Sequence, residues 1–407
     1  MKRRLFLVAG LVAVVASAAI ATTSPAASKS ITVWLQTDAQ SDNWVPIVKA
    51  ANAQFEKEHP GVTVDVQYQT WGTHLQKFDA TLAGGNAPDV IEMGNTEMTK
   101  YMAAGAFQSL NGVSFPNQST WLEGLAASGR YGGVTYGVPY YAGSRVVTYR
   151  TDLYKQAGIK VPASLAEFTS NARKLAAKNP AKTFSPVYMA GTDWYVAMSF
   201  VADYGGKIAA RVSGKWKGTL SSPKAIAGLT AWKSFWLASS RASKTGDENR
   251  PAPYEVYAQG GAASIVGPGW FSCCVGDKYK GSTAQFVMPS HVKGQPMPGF
   301  LGGSDLAVPV GGDKELGAAW ISAYTDNTSM TALRAIGNIP NTTSLLGNSI
   351  AERAARKSWF VPTAKNWVNV ETGNILRNML AQILTGKLTI KQAASSASDN
   401  ITSVLNS

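Results

Sequence analysis

Hydrophobic and polar positions in the first hundred residues follow the two periods of regular secondary structure. Residues 31–35 form a short apolar run, and apolar residues at positions 62, 64, 66 and 68 alternate with polar ones. Both segments are therefore predicted to be strands. Between them, apolar residues recur at helical spacing, namely Trp44, Ile47, Val48, Ala51 and Phe55. This spacing predicts a helix whose apolar face, Trp44 included, packs into a core.

The segment ATLAGGNAPDVI (residues 80–91) marks the end of the next helix and the start of the next strand. One helical face is formed by Leu75, Phe78 and Leu82. It stops at the glycine pair at 84–85, and Asp89 then leads into the apolar residues 90–91. The order strand, helix, strand, helix, strand predicts a parallel α/β sheet. Ligands of such sheets bind beyond the carboxyl ends of the strands, so the loops there are candidate binding positions.

Helix signals continue through the second half of the chain. Ser164 and Glu167 have the spacing of a capping box, and Pro223 follows Ser222, as is common at a helix start. Trp232 and Trp236 recur at helical spacing after that start, so we expect them in a core rather than in a binding site.

The N-terminus has the pattern of an export signal over residues 1–27. Three basic residues, Lys2, Arg3 and Arg4, precede an apolar stretch over residues 5–20, and small residues follow at 19–21. The paired arginines fit either a Sec signal or a twin-arginine signal. No cysteine lies near the cleavage site, so the sequence lacks a lipobox and predicts a periplasmic or extracellular protein.

Length and charge limit the architecture and the partners. A chain of 407 residues exceeds what one hydrophobic core usually serves, so we expect two lobes. The formal charge is +13, and removal of Lys2, Arg3 and Arg4 leaves +10. The basic residues are scattered rather than clustered, which indicates a solvated surface and not a nucleic-acid partner. We expect a monomer.

The sequence predicts neither a metal site nor a cofactor. Its two cysteines, Cys273 and Cys274, are adjacent, and they fit either a small disulfide ring or two thiols. The three histidines, His59, His74 and His291, form no metal-ligand pair. Phosphate-binding glycine motifs and the serine-hydrolase elbow are likewise absent from the sequence.

Seven segments in order resemble the family 1 extracellular solute-binding proteins, the group that includes the maltose-binding protein. The segments are ITVW (31–34), AGGNAPDVI (83–91), GVTYGVPYYAGSRVVTYRTDLYKQAG (133–158), GGAASIVGPGW (260–270), GGSDLAVPVGGDKELGAAWISAYT (302–325), GNIPNTTSL (337–345) and ILTGKLTIKQAASSASDNITSVL (383–405). Each segment is weak by itself, but together they cover nearly all of the mature chain in the family's order.

The resemblance implies a type II two-lobed α/β fold with discontinuous lobes and a hinge. Lobe one would comprise residues 29–140 and 302–338, and lobe two residues 141–301 and 339–407. The chain would cross between the lobes three times. Such a protein closes around its solute, here expected to be a sugar or oligosaccharide, and delivers it to the permease of an ABC importer.

The candidate ligand-binding residues pair aromatic rings with planar polar groups. A sugar ring stacks its C–H face on an aromatic ring while its hydroxyls bond to amides and carboxylates. The family places a stacking aromatic at Trp270, and the other candidates lie in loops after strands or at the crossings. The predicted ligand-binding set is Gln36, Asp38, Trp71, Glu92, Asn95, Tyr141, Trp194, Trp270, Gly303, Ser304, Asp305 and Asn341.

Other functions were weighed against sugar transport. A secreted glycoside hydrolase would need two carboxylates at a fixed separation, and no short motif sets such a pair together. Tyr140 and Tyr141 fit a ferric-ion site in part, but they fall at the predicted hinge. Polyamine and peptide ligands stay open as alternatives. The sequence thus predicts a binding protein without catalytic activity.

Overall fold

The computed structural model describes residues 29–37 and 43–407. The predicted signal segment and Asp38 lie outside these residues. The strands are β1 Lys29–Gln36, β2 Val62–Gln69, β3 Val90–Gly94, β4 Arg130–Tyr131, β5 Val134–Thr135, β6 Gly137–Arg150, β7 Ala209–Val212, β8 Lys215–Gly218, β9 Ser264–Pro268, β10 Thr283–Phe286, β11 Gly299–Ala307, β12 Ile339–Pro340 and β13 Ser358–Trp359.

The helices alternate with these strands. They are α1 Val45–Glu58, α2 His74–Gly84, α3 Met98–Ala103, α4 Glu123–Ser128, α5 Thr151–Gln156, α6 Leu165–Lys178, α7 Trp194–Asp203, α8 Pro223–Ser239, α9 Pro253–Ala258, α10 Asp277–Lys280, α11 Lys314–Tyr324, α12 Asn327–Ala335, α13 Ile350–Ala355, α14 Trp367–Thr372, α15 Ile375–Thr385 and α16 Ile390–Asn406. Within the described ranges, no helix is long and apolar enough to cross a membrane.

The parallel sheet predicted for the first hundred residues is confirmed. Strand β1 pairs in parallel with β2 on one side and with β3 on the other. Helix α2 ends at Gly84, where Gly85 adopts a left-handed conformation with φ of 70°, which glycine reaches without a Cβ penalty. The glycine pair therefore stops the helix where the sequence predicted.

Two long strands carry the sheet from one lobe into the other. The first half of β6 pairs antiparallel with β11, which in turn pairs antiparallel with β3. The second half of β6 pairs with β9 and β10. The short strand β12 also pairs with β6, at residues 141–142. The main path across the sheet therefore runs β10, β6, β11, β3, β1, β2.

Separate hydrophobic cores lie on the two sides of this connection. One core packs α1, α11 and α12 against β1 and β3, and it includes Trp44, Trp320 and Leu333. The other packs α6, α7, α8, α15 and α16 together, and it includes Trp232 and Trp236. The core positions predicted for these tryptophans are confirmed, because Trp44, Trp232 and Trp236 are all buried.

The start of α6 differs in one detail from the predicted capping box. The Ser164 hydroxyl accepts a hydrogen bond from the Glu167 backbone at 3.2 Å, as expected. The Glu167 carboxylate, however, accepts from the backbone N–H of Ala163 instead of that of Ser164. Helix α8 begins as predicted, with Ser222 as the capping residue and Pro223 in the first turn.

Candidate functional site

The carboxyl ends of β1, β2 and β3 lie at one edge of the sheet, and the crossing strands reach the same edge. Because the three strands are parallel, they end side by side, at Gln36, Gln69 and Gly94. Ser304 of β11 lies opposite Gly94, and Tyr141 of β6 lies opposite Ser304. The loops at this edge therefore lie next to the hinge, between the two lobes.

On lobe one, the edge carries an aromatic ring above a histidine–carboxylate pair. Trp71 is 39% exposed, and its ring meets the His74 ring edge-on at 5.2 Å between centroids. His74 contacts the Trp71 carbonyl through Nδ1 at 2.9 Å and the Glu97 carboxylate through Nε2 at 2.8 Å. Burial opposes the charged imidazole, but the hydrogen bond and charge of Glu97 outweigh it and raise the pKa of His74.

On lobe two, six rings form what we call the aromatic cluster: Trp194, Tyr195, Phe300, Trp359, Phe360 and Trp367. Trp194 and Tyr195 are stacked with 4.0 Å between centroids, and Tyr195 lies 4.8 Å from Phe300. Phe300 contacts Trp359 at 5.0 Å and stacks on Phe360 at 6.0 Å. Trp367 joins the cluster through Trp194, at 6.0 Å. Tyr195, Trp359 and Phe360 are half-buried residues, whereas Trp194, Phe300 and Trp367 are buried.

A guanidinium group lies on this cluster. The Arg145 guanidinium carbon is 4.1 Å from the Tyr195 ring centroid and 5.3 Å from that of Phe300. Cations over aromatic faces are attracted by the ring quadrupole, which holds the arginine flat against the cluster. Arg145 belongs to β6 at the crossing, so this donor group is positioned at the hinge.

Acidic groups surround the cluster. The Asp193 side chain caps α7 by accepting the Val196 N–H at 3.1 Å. Burial, with a smaller contribution from the charge of Glu248, raises the pKa of Asp193 to about 6. Glu248 itself is paired with Arg377 through two hydrogen bonds of 2.6 and 2.7 Å. Carboxylates beside aromatic faces provide the acceptors that sugar hydroxyls require.

One of the polar contacts between the two sides joins Thr96 to Glu371. Thr96, which follows β3, donates its hydroxyl to Glu371 Oε2 of α14 at 3.3 Å. The indole N–H of Trp367 donates to the other oxygen of the same carboxyl group. Burial, followed by the charge of Glu97, raises the pKa of Glu371 to about 8. The aromatic cluster therefore lies beside the contact between the lobes.

Most of the predicted polar site residues lie in the hinge itself. The Gln36 N–H donates to the Glu92 carboxylate at 2.8 Å. Asn95 donates its backbone N–H to Gly303 and its side-chain amide to Leu301. The Asn341 amide donates to the Pro139 carbonyl at 2.8 Å. These groups bond to one another and to the crossing strands.

The remaining predicted residues at the crossings are also enclosed. Tyr141 is buried and packs on Trp44 at 5.1 Å between ring centroids. Ser304 and Asp305 are buried on β11, and Asp305 accepts the Ser128 hydroxyl at 2.8 Å. Gly303 allows the strands to approach, because a Cβ there would lie 2.1 Å from the Tyr141 carbonyl oxygen.

Trp194 and Trp270 have different surroundings. Trp194 is only 3% exposed and supports the cluster from beneath Tyr195. Trp270 lies in a short 3₁₀ helix, Gly269–Cys274, and its ring packs on Tyr254 and Phe271. Its Cα is 3.7 Å from where a Cβ on Gly337 would lie, so Trp270 is adjacent to the third crossing.

Several residues at this edge were missed by sequence reasoning. Tyr195, Arg145 and Glu371 were not among the candidates, although Tyr195 follows Trp194 directly. A helix that begins at Trp194 turns successive side chains by about 100°, which separates the supporting ring from the more accessible one. The sequence signal for Tyr195 was its position directly after the candidate Trp194. The neighbours of each candidate aromatic residue could therefore have been added to the predicted set.

The adjacent cysteines form a disulfide in this structure. Cys273 and Cys274 are joined to each other at the end of the 3₁₀ helix that carries Trp270. Cys273 is exposed and Cys274 is half-buried. Among residues 29–37 and 43–407, no group of three or more His, Cys, Asp or Glu side chains is arranged to hold a metal ion.

Two lobes joined by crossing strands, with an aromatic and polar site between them, define a solute-binding protein. The chain belongs to the bacterial extracellular solute-binding protein family, whose model matches residues 39–330. It is 29% identical over 378 residues to the diacetylchitobiose binding protein DasA of Streptomyces coelicolor, covering 89% of this chain and 86% of the relative. The membership expected from the seven sequence segments is confirmed.

Solved structures share the two-lobed fold. The GacH receptor of Streptomyces glaucescens, studied unliganded and with acarbose, superposes with a TM-score of 0.81 at 21% identity, over 93% of this chain and 98% of that one. Maltose-bound MalE3 of Thermotoga maritima gives 0.76 at 17% identity, over 92% and 100%. The predicted fold class is confirmed.

Proposed function

We propose that this protein is the exported binding component of an ABC importer and that it carries a sugar or oligosaccharide to the permease. The observation that supports this most directly is the half-buried aromatic cluster, with carboxylates and Arg145 beside it, next to an interlobe contact. Aromatic faces flanked by planar hydrogen-bonding groups suit the two surfaces of a pyranose ring.

The lobes would divide as residues 29–140 with 302–338, and 141–301 with 339–407. Ligand would enter between them, stack on Trp71 and bond to the polar groups of both edges. Closure is then stabilised by the ligand's greater affinity for the closed form. Binding requires no catalytic step, and we propose none.

The names of the relatives support a narrower ligand class. DasA is named for diacetylchitobiose, and the GacH receptor was studied with acarbose. Both molecules are built from more than one ring. We propose an oligosaccharide of at least two units, and diacetylchitobiose is the first compound to test.

A thermal-shift screen of the mature protein would test the ligand class. The panel would contain diacetylchitobiose, maltose, maltotetraose and acarbose, with an amino-acid mixture, spermidine, a peptide and ferric citrate as non-sugars. Ligand at 100 times its dissociation constant adds about 2.7 kcal/mol to the free energy of unfolding, which is a readily visible shift. A response confined to non-sugars would overturn the sugar assignment, and release of free monosaccharide in the same wells would indicate a hydrolase.

Substitution of the exposed ring tests the position of the site. Trp71→Ala should weaken binding of the responding glycan by about 1–3 kcal/mol, the range of a buried aromatic contact, and we expect the same for Trp270→Ala. Tyr131→Ala is the matched control, since Tyr131 is a similarly exposed aromatic residue, 41% exposed, on the β4–β5 hairpin. Calorimetry would measure all three. Equal affinity in Trp71→Ala and the control would remove Trp71 from the site.

A further inference from the structure

The Thr96–Glu371 contact joins the loop after β3 to α14, on opposite sides of the cleft. Trp367, a buried member of the aromatic cluster, donates its indole N–H to Glu371 and fixes the carboxyl group from one side. The Thr96 hydroxyl reaches the other oxygen at 3.3 Å from across the cleft. Opening would break the second of these bonds and keep the first.

Charged groups around Glu371 are already paired with other residues. Glu97 faces it from the Thr96 loop and bonds to His74 at 2.8 Å. Arg377 faces it from α15 and is held by both oxygens of Glu248. The Tyr195 hydroxyl lies near it from α7. Among the described residues, no cation is within ion-pair distance of Glu371.

This arrangement disfavours a negative charge on Glu371 while Thr96 and Glu371 are in contact, and we infer that this contact belongs to the closed form. Enclosure removes the carboxyl group from water, and the nearby Glu97 adds repulsion, so the pKa is raised from its ordinary 4.5 to about 8. Opening the cleft would hydrate the group and move Glu97 and Thr96 away, which returns the pKa towards its ordinary value. Between these two values, the closed form binds a proton that the open form lacks.

We propose that closure of the two lobes takes up a proton at Glu371, so that the cleft closes and holds its ligand more tightly at pH 6 than at pH 8.5. The ligand part of this proposal rests on the proposed function, whereas the effect on closure does not. Glu371 acts as a positioning residue that latches α14 to the Thr96 loop. Ligand affinity should fall about tenfold or more between pH 6 and pH 8.5, because the effect can reach tenfold per pH unit.

Closure without ligand is the first test. Small-angle X-ray scattering would measure the radius of gyration of the ligand-free mature protein and of Glu371→Gln at pH 6 and pH 8.5. The amide of glutamine resembles the protonated acid, so the variant should be more compact than the wild type at pH 8.5 and equal to it at pH 6. Identical radii at both pH values would overturn the proposal, whether or not a sugar binds.

Proton uptake on binding is the second test. Titration of diacetylchitobiose by calorimetry in phosphate and in Tris at pH 7 should give an uptake close to one proton for the wild type and close to zero for Glu371→Gln. Asp399→Asn is the control, because Asp399 is exposed on α16 and should leave the uptake unchanged. Uptake that persists in Glu371→Gln would overturn the proposal.

A second variant covers the case in which Glu371→Gln does not fold. Thr96→Val removes the hydroxyl from the opposite lobe and should increase the radius of gyration at pH 6, where the latch is complete. An unchanged radius would contradict the latch. If diacetylchitobiose fails to bind while the scattering still depends on pH through Glu371, the ligand assignment fails and the latch stands.

Discussion

Replacement of Asp305 by asparagine should change how the stability of lobe one depends on pH. Asp305 lies on β11 and is 1% exposed. One carboxyl oxygen accepts the Ser128 hydroxyl at 2.8 Å, and the other has no hydrogen-bond partner among the described residues. Burial raises the pKa of Asp305 from 3.8 to about 7, although the bond from Ser128 opposes the shift. The folded protein therefore favours the neutral acid.

The sign of the effect follows from the bound proton. Between pH 4 and pH 7 the native state holds a proton on Asp305 that the unfolded chain has released, so the free energy of unfolding falls as the pH rises through this window. A shift of about three pKa units corresponds to a loss of up to about 4 kcal/mol. Asparagine has the shape of the protonated acid but does not titrate, so Asp305→Asn should lack this loss.

Urea unfolding of the wild type and Asp305→Asn at half-unit steps from pH 4.5 to pH 8.5, followed by tryptophan fluorescence, would measure the difference. The variant should be close to the wild type at pH 4.5 and more stable than the wild type above pH 7. Exposed Asp399→Asn is the matched control and should follow the wild type throughout. Parallel stability curves for the wild type and Asp305→Asn would refute the reasoning, because they would mean that Asp305 titrates alike in the folded and unfolded chain.

Two further substitutions test the hinge and the disulfide. Gly303→Ala should lower the free energy of unfolding by about 1–3 kcal/mol, because the new methyl group would overlap the Tyr141 carbonyl at 2.1 Å. Gly281→Ala is its control in urea unfolding, since a Cβ there meets nothing within 4 Å, and equal losses would contradict the clash. The double replacement of Cys273 and Cys274 by serine should cost about 1 kcal/mol or less, because the disulfide closes a minimal loop. A loss of several kcal/mol in the same assay would show that the disulfide stabilises more than its loop length accounts for.

The elements that the sequence predicted well are those set by local patterns. The glycine pair after α2 and the serine before α8 act on the backbone around them, so their effect is visible within a few residues of sequence. Trp232 and Trp236 lie at helical spacing and are buried as expected. The seven family segments added the two-lobed arrangement, which no single periodicity contains.

The candidate site was harder to predict because polar residues that face a ligand and polar residues buried in the hinge both occur near strand ends. The local sequence does not distinguish the two. Glu92 and Asn341 follow the expected pattern of polar residues near strand ends, yet both are buried among the crossing strands. Glu371 and Arg145 sit within helix and strand patterns that give no sign of a ligand or an interlobe contact. Their surroundings depend on residues 275 and 155 positions away in the chain, as the Thr96–Glu371 and Arg145–Phe300 contacts show.

The sequence by itself determined where several helices and strands lie, which faces of some helices are buried and which family the chain belongs to. Local backbone chemistry and hydrophobic periodicity are properties of neighbouring residues, so a linear sequence records them. Only the tertiary structure decided that Tyr195 stacks on Trp194, that Arg145 lies across Tyr195, and that Glu371 meets Thr96. These relations depend on how separate strands and helices pack, and packing brings together groups whose separation in sequence carries no information about their distance in space.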